Sequence, residues 1–374
     1  METRKSGAGR PRAWLHLILF ISAGLVLAAA LLSGDGVDAA GLSAVPLSLL
    51  GIAVLTNVEA GKNRFGRYKS YGIPEIVGPD GLVEETETMQ EIDGAIERML
   101  TRGERLICIN GGDGTMQRTI THMINKYGEE AIGIPILFPL RGGTMNLLAD
   151  HLKIKGKTPE LLRQAVAAER RLQELPYVEV PTLRVTRDIC GTEEREYGFF
   201  YGNGALYRFH RVYYRETMGG PVAAAKLFLK CAIGGAIKRT RYQDVFGLTP
   251  ARVTIDDFEI PADQVTIVLA VIFQVVVISF DAFRDEGEGD FYSIATSVPI
   301  FKMAPKLPWL LWGKNSEHPP YPKEEFFNQR ASRIRMECRE GYSLDGEVFE
   351  IEEPYTLTIE KGPTVKFLDI RVSP

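Results

Sequence analysis

A chain of 374 residues that is 45% hydrophobic and 25% charged can bury a large core and is too apolar to be a disordered protein. Its net charge of -4 gives no bulk attraction to nucleic acid, so DNA or RNA is not an expected partner. The four cysteines (Cys108, Cys190, Cys231 and Cys338) form no CxxC pair, which fits a reduced compartment better than a disulfide framework, and the five histidines show no ligand spacing, which argues against a histidine-based metal site and leaves oxygen-ligated magnesium open.

Arg4, Lys5, Arg10 and Arg12 precede an apolar run over 13–32 that is broken only by His16, Ser22 and Gly24. Its length suffices to span a bilayer, and residues 1–45 are read as a basic N-terminus with a hydrophobic anchor helix. Basic residues before the run, with Asp35 and Asp38 after it, place the remainder outside the cytoplasm by the positive-inside rule. A cleaved signal peptide, a helix that dips into the membrane and a downstream start codon are the rival readings.

From residue 51 the pattern alternates: strands are expected over 52–56, 73–77, 106–109 and 132–138, and helices over 88–101, 116–127, 145–152 and 161–172. Such βαβ repetition implies a doubly wound α/β domain over 46–175, with ligands at the carboxyl ends of its parallel strands. Pro176 and Pro181 mark a change of pattern. The remainder, 176–374, is mostly strand: 178–185, 196–201, 252–255, 265–273, 275–280, 291–296, 332–338, 355–359 and 364–368, read as an antiparallel β-sandwich or barrel.

Four segments carry chemistry. Gly111-Gly112-Asp113-Gly114-Thr115 follows a strand and opens a helix, so glycines bring backbone N–H groups close to an anion while Asp113 supplies a carboxylate beside it. That carboxylate would repel phosphate unless it binds a metal or takes a proton, and both are phosphoryl-transfer roles. Asn57, Gly61 and Lys62 lie in a loop after the first strand, where N–H groups and a cation suit phosphates, although an ordinary turn is the plainer reading. No GxxxxGK[ST] loop occurs. Gly143, Thr144 and Asn146 follow a third strand, preceded by Pro139, and can hydrogen-bond a nucleotide. Asp345-Gly346-Glu347 reads first as a hairpin turn, yet its two carboxylates would complete a magnesium and base cluster with Asp113 if the chain folds back.

In this order the segments resemble the diacylglycerol kinase catalytic family, which includes sphingosine kinases and bacterial lipid kinases, over about residues 51 to 350. Residues 111–115 match its GGDGT signature without a mismatch, 143–146 resemble its GT-x-N segment, and 345–347 resemble its late DGE motif. Val58 and Ala60 stand where its phosphate loop carries proline and serine, and Phe280-Asp281-Ala282 lacks the proline of its PxA region. The resemblance implies ATP- and Mg2+-dependent phosphorylation of a lipid hydroxyl, diacylglycerol first, with nucleotide in the α/β domain and lipid in the β-rich domain. It makes Asp113 and Asp345 acid–base candidates, and Asp113, Asp345 and Glu347 candidate metal ligands. A sphingoid-base kinase, a soluble NAD-kinase-like enzyme and a silent lipid-binding protein are the alternatives. The expected setting is a membrane, with the catalytic domain on its cytoplasmic side because it uses ATP, which conflicts with the positive-inside reading of the N-terminus; a homodimer is left open. Basic amphipathic patterning over 221–241 and the tryptophan-bearing run 307–312 are further candidates for lipid contact, each rivalled by ordinary packing.

Overall fold

A computed structural model describes residues 51–371, apart from 131–134, 172–173, 217–222, 225, 229, 232–241, 243, 275–282, 304–305 and 307–320. The anchor run 13–32, the strand 275–280, the 280–282 region, most of 221–241 and the run 307–312 lie outside the described residues. Among the described residues, no helix is long and apolar enough to cross a membrane. These residues belong to one compact unit, Ser48–Pro374.

The first part is built from β1 (Ile52–Asn57), α1 (Ile73–Val77), β2 (Leu82–Thr86), α2 (Met89–Arg102), β3 (Leu106–Asn110), α3 (Asp113–Tyr127), β4 (Ile136–Pro139), α4 (Leu147–His151) and α5 (Thr158–Arg171). Strands β2, β1, β3 and β4 lie side by side and parallel. Alternation along each strand fills two cores. Ala53, Leu55, Ile107 and Ile109 meet Ile92, Ile96 and Ile120 of α2 and α3 on one face. Ile52, Val54, Leu106 and Cys108 meet Ile73, Val77, Leu161 and Leu162 of α1 and α5 on the other. Helices on both faces are what a buried parallel sheet requires.

The expected strand at 73–77 is a helix instead. Gly72 enters it at φ 61°, Pro74 occupies its first turn and Gly78 ends it, while Ile73 and Val77, one helical turn apart, face the core. The second strand is β2, whose Glu84 and Glu85 hide its apolar pattern.

The second part contributes β5 (Tyr177–Ile189), β6 (Thr192–Gly198), β7 (Phe200–Asn203), α6 (Ala205–Glu216), β8 (Thr249–Ile255), β9 (Phe258–Glu259), β10 (Gln264–Val265), β11 (Ile267–Val271), β12 (Phe291–Thr296), β13 (Phe326–Ala331), β14 (Arg333–Cys338), β15 (Tyr342–Leu344), β16 (Glu347–Phe349) and β17 (Tyr355–Leu368). These strands do not close on themselves as a separate sandwich. β17 runs antiparallel to β5 and β14 but lies parallel to β4, with Phe367 opposite Leu137, and so extends the parallel sheet. A second sheet, β13-β12-β11-β7-β15-β16, is wholly antiparallel. One core then runs through both parts, joining Ile120 and Leu137 to Phe199, Tyr201, Leu344 and Phe367.

Candidate active site

The three loops leaving β1, β3 and β4 interlock at the carboxyl end of the parallel sheet. The Asn57 amide donates to Thr115 Oγ1 at 2.9 Å, tying the first loop to the second. Lys62 N–H donates to Gly142 O at 2.9 Å, and its Nζ donates to Arg141 O at 3.0 Å, tying the first to the third. A Cβ on Gly112 would meet the Gly143 Cα at 3.3 Å, so the second and third loops touch through their backbones. A Cβ on Gly61 would press on the Thr144 side chain. Asn146 stands at φ 59° with its amide bonded to Gly143 N and O, which holds the third loop open at the head of α4. The residues expected to cradle phosphate (Asn57, Gly61, Lys62, Gly111, Gly112, Gly114, Thr115, Gly143, Thr144 and Asn146) therefore lie on these three loops, at the end of β1 or in the first turn of α3.

Asp113 begins α3, earlier than the helix expected at 116. Its carboxylate accepts from Leu147 N–H at 2.9 Å and Leu148 N–H at 3.2 Å, so it caps the neighbouring helix α4 rather than its own. Burial raises its proton affinity, and those N–H donors partly oppose the shift.

Asp345 and Gly346 are the two central residues of the β15–β16 hairpin, at φ 51° and 87°, with Leu344 paired to Glu347. Two consecutive positive φ values are the hairpin geometry that Asp-Gly favours. The same turn serves the site. Asp345 accepts from Phe199 N–H at 2.8 Å and Phe200 N–H at 2.9 Å, which fixes it where β6 passes into β7. Burial, then the nearby Asp113 charge, raise its carboxyl well above the usual range, with Glu347 adding to the effect. A Cβ on Gly114 would lie 2.8 Å from Glu347 Cδ and Cγ, so Glu347 rests directly on the GGDGT turn. The structure thus brings Asp113, Asp345 and Glu347 together.

Their commitments differ. Asp113 and Asp345 each hold two backbone N–H groups, whereas the Glu347 carboxylate makes no hydrogen bond or ion pair among the described residues. Burial raises Glu347, opposed by the Arg118 guanidinium. Among the described residues no three metal-ligating side chains converge on one point. Mg2+ commonly uses one or two carboxylates, with water and substrate phosphates filling its remaining positions, and Glu347 with its buried acidic neighbours suits that manner of binding.

Several contributors escape sequence reasoning. Asn63 is fully buried, and its amide donates at 2.8 Å to both Asn57 O and Asn110 O, bracing the first two loops. The Tyr214 hydroxyl of α6 lies 3.1 Å from where a Gly346 Cβ would be. Arg118, bidentate to Asp93, sends its charge toward Glu347. Asn110 carried a legible signal, an amide ending an otherwise apolar strand; Asn63 and Tyr214 carried none.

Residues 51–178 match the family described as the diacylglycerol kinase catalytic domain, which bears out the resemblance read from the motifs. Solved structures from Bacillus anthracis Sterne share the fold. One, provisionally described as a diacylglycerol kinase, aligns with TM-score 0.55 at 15% identity over 85% of this chain and 96% of its own. Another, described as a diacylglycerol kinase, gives 0.51 at 14% identity over 85% and 96%. No curated protein matches the chain.

Proposed function

We propose that this protein is an ATP- and Mg2+-dependent lipid kinase that moves the γ-phosphate to a lipid hydroxyl, diacylglycerol giving phosphatidic acid. The observation that carries the reading is the meeting of Asp113, Asp345 and Glu347 beside three interlocked glycine loops. Backbone N–H groups at the start of α3 and in those loops suit the nucleotide phosphates, with Lys62 adding a cation. Glu347, whose oxygens are uncommitted, would hold Mg2+, which when bound neutralises charge on the β- and γ-phosphates.

Asp345 serves as base in this reading. Its raised proton affinity suits it to take the proton from the acceptor hydroxyl once ionised. The acceptor O–H bond breaks, an oxygen–phosphorus bond forms, the γ-phosphorus to bridging-oxygen bond breaks, and ADP leaves. Asp113 keeps the second and third loops in register through its bonds to Leu147 and Leu148. The division of labour follows the two parts, with nucleotide over 46–175 and lipid over 176–374, and the enzyme works at the membrane that holds its substrate.

The test offers the full chain radiolabelled γ-phosphate ATP and Mg2+ with mixed micelles of diacylglycerol, monoacylglycerol, sphingosine or ceramide, beside soluble NAD. Labelled phosphatidic acid supports the reading. Label on sphingosine shifts the acceptor, label on NAD alone moves the protein to a soluble kinase, and no labelled product leaves lipid binding without catalysis.

A further inference from the structure

Phe65 is 94% exposed, and its backbone stands at φ 60°. A bulky residue pays in steric strain for that conformation, and an apolar ring in water returns nothing for it. Singly exposed apolar residues are ordinary, but one that is almost wholly exposed and also held in the left-handed region stands apart from them.

The surroundings state what kind of partner suits the ring. Between Gly61 and Pro74 the chain carries Lys62, Arg64, Arg67 and Lys69 and no acidic residue, within a protein of net charge -4. Arg67 and Lys69 are exposed and make no ion pair among the described residues. Of the acids near the segment, Glu59 faces Arg64 at 3.7 Å and Glu85 accepts from the Tyr68 hydroxyl at 2.8 Å, while Glu75 stands in the first turn of α1 beside Gly72 and Glu87 lies near Tyr68. The root of the loop is held firmly, with Asn63 buried between Asn57 and Asn110, Tyr68 buried, and Lys62 bonded to the third site loop. A rigid base with one outward aromatic ringed by cations matches the interfacial zone of an anionic bilayer, where aromatic rings and basic side chains both gain. The core of a protein interface is instead depleted of charge.

The loop also borders the site. It begins at Lys62, and Met145, 48% exposed, follows the Thr144 on which Gly61 packs. We infer that segment 62–69, a turn that runs into the 3-10 helix Arg67–Tyr71, is a docking finger that seats the rim of the site on an anionic lipid surface, with Phe65 entering the interface and Arg67 and Lys69 meeting headgroups. The inference needs no nucleotide and does not depend on the kinase reading.

The test labels the full chain at Phe65→Cys with an environment-sensitive fluorophore, in a Cys190→Ser background because Cys108, Cys231 and Cys338 are buried. Vesicles of phosphatidylcholine are compared with vesicles that also carry phosphatidylglycerol. The expected result is a blue-shifted emission, quenched by lipid-borne nitroxides, in the anionic vesicles and not in the neutral ones. Arg67→Gln with Lys69→Gln should lower the docked-to-undocked ratio about thirtyfold, roughly fivefold for each cation. A label that stays in water in anionic vesicles overturns the inference. An equal shift in both vesicle types that is indifferent to the double substitution also overturns it, since the charge then plays no part. An activity assay without vesicles separates the two proposals: lost phosphoryl transfer to diacylglycerol micelles sinks the kinase reading and leaves the docking result unchanged.

Discussion

Glu347 lies on Gly114, with Cδ and Cγ 2.8 Å from the place a Cβ would occupy, so the hairpin near the end of the chain closes on the first turn of α3. That contact makes glycine necessary at 114 although the position is inside a helix, where alanine would otherwise be favoured.

Gly114→Ala therefore sets two effects against each other. Helix propensity gains under about 1 kcal/mol, while forcing a methyl into occupied space costs about 1–3 kcal/mol. The net expectation is a modest loss of thermal stability and a loss of phosphoryl transfer of at least about tenfold, because Glu347 must move. Thermal unfolding and initial-rate assays on the same sample check both.

Asn63→Ala removes two buried donors and leaves Asn57 O and Asn110 O without them. The expected cost is about 2–3 kcal/mol of stability, with a raised KM for ATP because the first and second loops lose their brace. Urea unfolding and ATP titration measure the two consequences.

Stability should fall as pH rises above the ordinary carboxyl value. Asp345 retains its proton in the folded state after the unfolded chain, near 3.8, has released it. Its contribution is full below that value and is lost as pH rises through the raised native value. Asp113 and Glu347 act in the same direction. Asp345→Asn removes one proton from this balance and relieves the repulsion on the others, so its urea midpoint should decline less steeply with pH than that of the wild type.

Motifs whose chemistry is local were legible in the sequence. GGDGT sits at a strand-to-helix turn, as its glycines and flanking apolar run imply, and Asp-Gly at 345–346 is a hairpin turn that also delivers a carboxylate. What hid was nonlocal. The segment 73–77 is apolar and short enough for a strand, and only the caps Gly72 and Gly78 with Pro74 decide for a helix. β17 reads as two strands because Gly362 and Pro363 interrupt its pattern, yet the structure carries it through a register shift between Lys361 and Thr364. Its pairing with β4, which fuses the two sheets of the expected domains, leaves no mark in either strand. Helix α6 leaves no decisive mark in the sequence, because its aromatic residues suit a strand equally well. The N–H groups that hold Asp113 and Asp345 belong to the backbone and are silent in any sequence.

The most direct measurement is phosphatidic acid formation by wild type and Asp345→Asn side by side, with ATP affinity determined on the same preparations. The wild type should phosphorylate diacylglycerol in the presence of Mg2+, and the variant should lose about 10²–10⁴-fold in kcat while its ATP affinity stays close to that of the wild type. A variant that retains full turnover would contradict the role given to Asp345, and a wild type that binds ATP yet phosphorylates no lipid would contradict the account as a whole.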